Sequence, residues 1–451
     1  MSHILTPVTK SAEMRILTIV STLTRGGTER AAVNYTLGYQ SQGMACAVLA
    51  YSGGGPRKAT LDERAIPVFV GGDDAAAQTQ AVEQARAWAP DILHLHRPGL
   101  PDSLSASILA SLRHPALRVI ETNVFAYVDD SEDRKLFDLH LLLSRWCLKK
   151  WVNGSRGLKD RAAGVVIPYS VDCTSFAPSS EEQKLSFRSE LGIPVDAFVY
   201  GRVGQPVEVK WSPLLLRSFC EVAERYADAH LVLVGLPPEL QRQFKLLPEK
   251  VRARVHQLPI VNTDVELQRY YGTMDVFVHA ADKGESFGMV LCEAMLCGLP
   301  VITLSTPLRD NSQIEVVRNG EAGIVVSDQC GFTAAMNALH EDATLRENIS
   351  RHAPEHVRRN YDIPVVASAL VELARLALSA SSSADLNART ARDPRYISTS
   401  GAEDYRTMLH SAGVSSSATD ALLLSAVNRP LARKAIRLAR LAQQKIHKLR
   451  S

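Results

Sequence analysis

Residues 275–304 read DVFVHAADKGESFGMVLCEAMLCGLPVITL. DVFVHA is an apolar run of strand length, a polar loop follows as far as Glu285, Ser286 can cap a helix, Gly298 can end it, and Pro300 opens a second apolar run. Strand, loop, helix and strand in that order form the repeating unit of a parallel sheet. The helix N-terminus of such a unit is aimed at a cleft, and its unpaired N–H groups and positive dipole end favour an anion. Gly288 lets that anion approach the backbone closely, and phosphate is the natural guest. Glu293, about two turns into the helix, is placed to accept hydrogen bonds from a diol such as ribose.

The same alternation extends to both sides. From Met14 to Ser170, the runs RILTIVST, MACAVLAY, IPVFVGG, ILHLH, LRVIET, LHLLLS and VVIPYS read as strands, several of them apolar almost throughout, as strands buried on both faces are. Helix patterns lie between them, Thr28 to Gln42 before Gly43 and Ala76 to Ala89 before Pro90. Residues 177–194 interrupt the pattern with Pro178, Ser179, Ser180 and acidic residues. FVYGRVG, HLVLVG, RVHQL, DVFVHA, PVITL and AGIVV then restart it. The chain therefore reads as two α/β domains, with a ligand cleft between the carboxyl ends of their strands. A helix from Pro364 to Leu378 precedes SASSSADLNARTARDP, a Ser-rich linker with little apolar content to order it.

Composition agrees. The chain has 451 residues, 46% hydrophobic and 22% charged, enough for two large domains with an appendage and unlike a disordered, collagenous or coiled-coil chain. No run reaches the 18 or so apolar residues of a membrane span, and the start lacks an apolar stretch long enough for a secretory signal, so a cytoplasmic protein is expected. Seven scattered cysteines, none in C-x-x-C spacing, argue against a disulfide framework or structural zinc and are expected to be buried.

The run ESFGMVLCEAMLCGLPV, from Glu285 to Val301, resembles the hallmark of the retaining family 4 glycosyltransferases, E-[GS]-F-G-[ML]-x-x-x-E-A-[ML]-x-x-G-x-P-V. The resemblance implies a GT-B fold, α/β with two Rossmann-like doubly wound parallel-sheet domains facing a cleft and a C-terminal helical extension. The expected domains are an acceptor-side domain at 1–178, a nucleotide-sugar domain at 179–363, a crossover helix at 364–380, and a Ser-rich linker with a basic helical tail at 381–451. It further implies that Glu285 lies beside the donor sugar, that Glu293 holds the nucleotide ribose, and that the backbone of Phe287, Gly288 and Met289 meets sugar and diphosphate. Arg202 and Lys210, in GRVGQPVEVKWSP, resemble the family's cations that grip the diphosphate, though their spacing is longer than in many members. Two cations facing a leaving diphosphate make chemical sense, because negative charge grows there as the bond breaks.

Gly26 and Gly27, in STLTRGGTER, resemble the loop that contacts the donor phosphates; alone they are equally a tight turn between strand and helix. Asn123 stands where many members carry a histidine near the donor sugar; it can hydrogen-bond a hydroxyl but cannot titrate. Glu315, in DNSQIEVVRNGEAGIVV, matches a family glutamate, with ribose contact and helix capping as equal readings. IPYSVDCTSFAP resembles a hinge segment in which Asp172 and Phe176 keep register. His94 and His96 share one side of a strand, and a structural or acceptor-side role is favoured over a metal, since no Cys, Asp or Glu set completes a site.

The net charge is +3, yet the 23 residues from Arg429 carry eight Lys or Arg and no acid; subtracting eight from +3 leaves −5 for the rest. By composition this tail reads as a helix, which at 100° per residue would put Leu431, Leu438, Ile446 and Leu449 on one face and basic residues on the other. It can pack on the protein with its basic face in water or lie peripherally on the anionic inner membrane face; no base-reading aromatic accompanies it, so nucleic acid is not expected. The leading expectation is transfer of a sugar from a nucleoside-diphosphate donor to a saccharide or lipid-linked saccharide, without metal or cofactor. The alternatives are a GT-B assembly protein docking through its tail and a GT-B nucleotide-sugar epimerase.

Overall fold

Thirteen strands form two wholly parallel sheets among the residues described by the computed structural model, 14–158 and 162–414. The first takes β1 (Arg15–Val20), β2 (Ala45–Ala50), β3 (Val68–Val70), β4 (Ile92–Arg97), β5 (Arg118–Asn123), β6 (Leu139–Leu142) and β7 (Ala163–Val166), in the order β3-β2-β1-β4-β5-β6-β7. The second takes β8 (Phe198–Val203), β9 (Ala229–Val234), β10 (Val255–Leu258), β11 (Val276–His279), β12 (Val301–Leu304) and β13 (Gly323–Val326), in the order β10-β9-β8-β11-β12-β13. These are the two Rossmann-like sheets of a GT-B fold.

Each sheet reverses its winding once, between β1 and β4 and between β8 and β11. A crevice opens at such a point outside the carboxyl ends of the strands. The strands are apolar because helices cover both faces: β4 and β9 are buried along their whole length. Even His94 in β4 belongs to the core, with Nδ1 3.0 Å from Tyr39 Oη and Nε2 2.8 Å from Thr122 Oγ1.

Several sequence expectations need correction. β7 ends at Val166, and VVIPYS does not continue as strand because Pro168 has no N–H for the ladder. Ser286 does not cap the helix Met289–Leu296; Gly288 stands at its N-cap in the left-handed region, with φ +96°, a conformation that suits glycine. Cys330 is exposed and Cys220 half-buried, while the other five cysteines are buried. The Ser-rich stretch is ordered: Ser382 caps the helix Ser383–Arg392, which buries Leu386 and Thr390 beside β7. Serine here supplies the helix start, and one thin apolar face suffices because the strand beneath provides the rest. The basic tail from Arg429 lies outside the described residues.

The chain crosses between domains twice, side by side. Val171 N–H donates to Tyr361 O at 2.8 Å, and Ile363 N–H donates to Val171 O at 3.2 Å. Asp362 caps the next helix, Ile363–Ser379, which carries Pro364 in its first turn and packs on the first-domain helix Gly27–Ser41. Residues 383–414 then follow the first domain, with Val166 N–H donating to Ile397 O at 2.9 Å and the Tyr405 ring 4.4 Å from that of Trp146.

Close packing of the two helices depends on Gly38: a Cβ there would stand 2.9 Å from Ala367 Cβ. Gly38→Leu is expected to destabilise the protein by about 1–3 kcal/mol through overpacking, read as a lower urea midpoint. An unchanged midpoint would show that the helices are not docked at this position.

Candidate active site

Two helices start at the points where the sheets reverse. Gly26 is the N-cap of Gly27–Ser41, directly after β1, and Gly288 is the N-cap of Met289–Leu296, after β11; no side chain caps either helix. Elsewhere Asp74, Asp102, Ser144, Ser180, Thr263, Asp328 and Asp342 cap their helices with side-chain oxygens. Neither tip has a side-chain hydrogen-bond cap, although the Glu29 carboxylate folds back toward Gly26, and an anion is the partner that the dipoles favour. Side chains link the two helices, Arg30 Nη1 to Glu293 Oε1 at 2.8 Å, and the ring of Tyr169, from the first domain, stands edge-on to Phe287 at 5.7 Å.

Glu285 lies at the end of the loop after β11. Its Oε2 is 2.6 Å from Lys210 Nζ and its Oε1 3.3 Å from His279 Nε2, while its N–H donates to Gln313 Oε1 at 3.0 Å. Burial alone would raise its pKa, but the Lys210 ammonium and the His279 ring outweigh it and hold the carboxyl well below the usual range. Glu285 is therefore ionised at neutral pH. Lys210 ends a short 3-10 turn, Glu208–Lys210, and remains partly exposed, so its ammonium has donors to spare.

Arg202 is placed differently from the sequence expectation. It is 1% exposed, its Nη1 donates to Val203 O, its Nη2 donates to Lys210 O at 2.7 Å, and its guanidinium lies over Trp211 at 5.2 Å. Burial brings its pKa down to about 10. It holds the loop that carries Lys210 from beneath instead of facing open cleft.

Glu293, 3% exposed, accepts from Arg30 Nη1 at 2.8 Å and from Tyr271 Oη at 2.9 Å. Burial raises its pKa, opposed by the Arg30 charge. Arg30 comes from the first domain and also pairs with Asp264 at 2.8 Å. The structure thus joins the Gly26–Gly27 tip to the stretch from Glu285 to Glu293.

Two expected residues stand apart. Asn123, at the end of β5, donates to Tyr127 O at 2.8 Å, and its buried Oδ1 has no partner among the described residues. Glu315 accepts from the N–H groups of Arg145 and Trp146, at 3.0 and 2.8 Å, and so caps the first-domain helix Arg145–Gly154. The two ring nitrogens of His96 have no hydrogen-bond partner among the described residues, and its ring stacks on His94. Among the same residues, no three His, Cys, Asp or Glu side chains are grouped to hold a metal ion.

Sequence reasoning missed Arg30, His279, Tyr271 and Gln313. Arg30 left a faint signal, a cation in the first turn of a helix that opens on two glycines; the partners of the others are set by tertiary packing.

Residues 195–342 match the family described as Glycosyl transferases group 1. The D-inositol 3-phosphate glycosyltransferase of Corynebacterium jeikeium is 30% identical over 206 residues, 43% of this chain and 47% of that protein. The phosphatidyl-myo-inositol mannosyltransferase of Mycobacterium leprae is 30% identical over 333 residues, 69% of this chain and 81% of that protein. The chain thus spans about half the length of the first relative and four fifths of the second. Among solved structures, Anabaena Alr3699/HepE in complex with UDP-glucose aligns with a TM-score of 0.63 at 19% identity, over 80% of this chain and 99% of that one. A glycosyltransferase from Rickettsia africae aligns with a TM-score of 0.67 at 15% identity, over 82% and 99%. At these identities the structural likeness is one of fold.

Burial beside Arg202 and Lys210 brings His279 down to about 4, against an ordinary value of 6.5. Between these values the unfolded chain binds the proton and the folded one does not. This contribution to stability is complete above pH 6.5 and is lost as pH falls toward 4. In His279→Gln the loss of unfolding free energy from pH 7 to pH 5 should be smaller than in the parent by about 2 kcal/mol. Urea titrations at the two pH values read it, and equal losses would contradict the buried, neutral ring.

Proposed function

The chain belongs to the group 1 glycosyl transferases, and on that premise we propose that it transfers a sugar from a nucleoside-diphosphate donor to an acceptor hydroxyl with retention at the anomeric carbon. The observation that carries this reading is the pair of uncapped helix tips, Gly26–Gly27 and Gly288–Met289, set against Lys210 and an ionised Glu285. A diphosphate between the tips takes hydrogen bonds from amides on both sides and charge from Lys210. Arg202 acts through the loop it supports. Glu293 takes the ribose diol, and the backbone of Phe287, Gly288 and Met289 lines the sugar and diphosphate.

The bond between the anomeric carbon and the diphosphate oxygen breaks as the acceptor oxygen bonds to the same face of that carbon. The acceptor proton passes to the departing diphosphate, whose growing charge the helix amides and Lys210 stabilise. Glu285, fixed as a carboxylate, accepts from donor-sugar hydroxyls and faces the positive charge developing on the ring. The diphosphate's charge is met by amides and ammonium in place of a metal ion, and no cofactor takes part. Asn123 stands at the position read as lying near the donor sugar, and its buried Oδ1, unpartnered among the described residues, is the atom that would accept from a sugar hydroxyl. Glu315 serves the site indirectly, by docking the second domain on the first.

The acceptor we infer is a saccharide or lipid-linked saccharide of a glycoconjugate. The names of the two relatives, which specify an inositol phosphate and a phosphatidyl-inositol, support a polyol hydroxyl as the nucleophile. No helix among the described residues is long and apolar enough to cross a membrane. The same reading has the enzyme work in the cytoplasm, with the basic segment 429–451 reaching an anionic membrane surface.

A thermal-shift panel of sugar nucleotides tests the donor, since a ligand of the folded state raises its melting temperature. A shift with at least one donor, followed by turnover with that donor, is expected; no shift across UDP-, GDP- and ADP-sugars would remove the reading. With the donor in hand, Lys210→Ala should lower kcat about 100-fold. Glu293→Ala should raise the donor KM about tenfold or more while changing kcat less.

A further inference from the structure

Arg30 occupies a place that its own helix disfavours. It is the fourth residue of Gly27–Ser41, within the first turn, where the positive end of the dipole repels a cation. What offsets that repulsion lies in the other domain: Nη1 sits 2.8 Å from Glu293 Oε1 and Nη2 2.8 Å from Asp264 Oδ2. The first-domain cation is therefore seated on the carboxylate read above as the ribose ligand.

Glu293 is not open to a diol as it stands. Its Oε2 takes the Tyr271 hydroxyl at 2.9 Å, its Oε1 takes Arg30, and it is 3% exposed. Each carboxylate oxygen keeps a second lone pair, but a ribose diol reaches them only when one of the covering partners moves aside. Tyr271 is buried in the second-domain core and belongs to the same domain as Glu293. Arg30 reaches in from the opposite side of the cleft on a long side chain with several rotatable bonds, so Arg30 is the partner that yields.

Its destination follows from helix geometry. Side chains on a helix lean toward the N-terminus and cover the turn before their own Cα. For Arg30 that turn is the uncapped Gly26–Gly27 tip, the position proposed for the donor diphosphate. A planar guanidinium suits a diphosphate as it suits a carboxylate, with two parallel N–H donors. Asp264, whose side chain is 46% exposed, is hydrated when Arg30 leaves.

We propose that Arg30 is a two-position cation: with the donor site empty it closes the cleft on Glu293 and Asp264, and when a nucleotide sugar enters it gives Glu293 to the ribose and moves to the diphosphate. The proposal rests on the donor reading above and adds an exchange that makes ribose capture and diphosphate grip one event. In the second stage the Glu293 carboxylate is held by the diol and the Tyr271 hydroxyl, with Arg57 as the remaining nearby cation.

Ligands with and without the diphosphate separate the two positions. In Arg30→Gln, uridine or guanosine should bind about tenfold tighter, because ribose no longer competes with the guanidinium for Glu293. UDP or GDP should bind about tenfold weaker, because the charged grip on the diphosphate is gone. Arg30→Lys should fall between the parent and Arg30→Gln for the diphosphates. Affinities falling together would mean that Arg30 only positions Glu293 or stabilises the closed domains. Affinities rising together would leave a blocking side chain without a phosphate position, and unchanged affinities would remove Arg30 from the site; each result overturns the proposal.

Asp264→Asn, on an exposed side chain, serves if Arg30→Gln does not fold. It loosens the empty-state seat alone, so UDP or GDP should bind tighter, and weaker binding overturns the proposal. A parent protein that binds no nucleotide or nucleoside in these titrations would instead strike the donor reading itself. The two failures are therefore distinct.

Discussion

Amides without a side-chain partner at two helix tips set the conditions for everything around them. A side-chain cap is worth about 1 kcal/mol to a helix, and about half of the helix starts in the described residues have one. Two that lack it and open on a glycine follow β1 and β11, where the parallel sheets reverse and where each crossover delivers its helix N-terminus to the cleft. Topology supplies the place and glycine stands at the N-cap; on the function proposed above, an anion bridging the tips recovers the local cost, and Glu285, Lys210 and Glu293 surround that guest.

Two kinds of contact join the domains. One is a fixed seam: Glu315 caps Arg145–Gly154, and Ser312 Oγ lies 2.7 Å from Ser144 Oγ. Beside it, the two chain crossings hydrogen-bond to each other through Val171, Tyr361 and Ile363. These capping, hydroxyl and backbone bonds are joined by the Arg145–Glu315 and Lys150–Asp310 ion pairs. The other contact is ionic, from Arg30 to Glu293 and Asp264, and lies where ligand chemistry can replace it. A joint fixed along one edge and exchangeable along the other is the arrangement that a closing cleft requires.

The fold was largely legible because parallel sheets write a strong signal. Most of the thirteen strands stand at apolar runs, since helices cover both faces of the sheets; the edge strand β10 (Val255–Leu258) is half polar and only partly buried. The candidate carboxylates were legible for a local reason, the spacing of Glu285 and Glu293 around a helix start. What escaped depends on distance along the chain. Arg30 and Glu293 are separated by 263 residues, and no periodicity reports such a pairing. Arg202 looked like an open cation because it follows a strand, yet the carbonyls of Val203 and Lys210 had already claimed it. Glu315 carried two readings of equal weight until the amides of Arg145 and Trp146 appeared beside it. The Ser-rich stretch misled because composition does not show that β7 lends a helix its apolar partner.

The return of residues 363–414 to the first domain has a consequence for biosynthesis. The ribosome delivers the partners of Gly27–Ser41 and of β7 only after the entire second sheet has been made. At about 5–20 residues per second, the nascent first half waits about 10–40 s with an apolar helix flank bare and a strand edge unprotected. Whatever shields a newborn chain during that interval must vacate surface that the returning segment will claim, so release from the chaperone and completion of the amino-terminal half coincide.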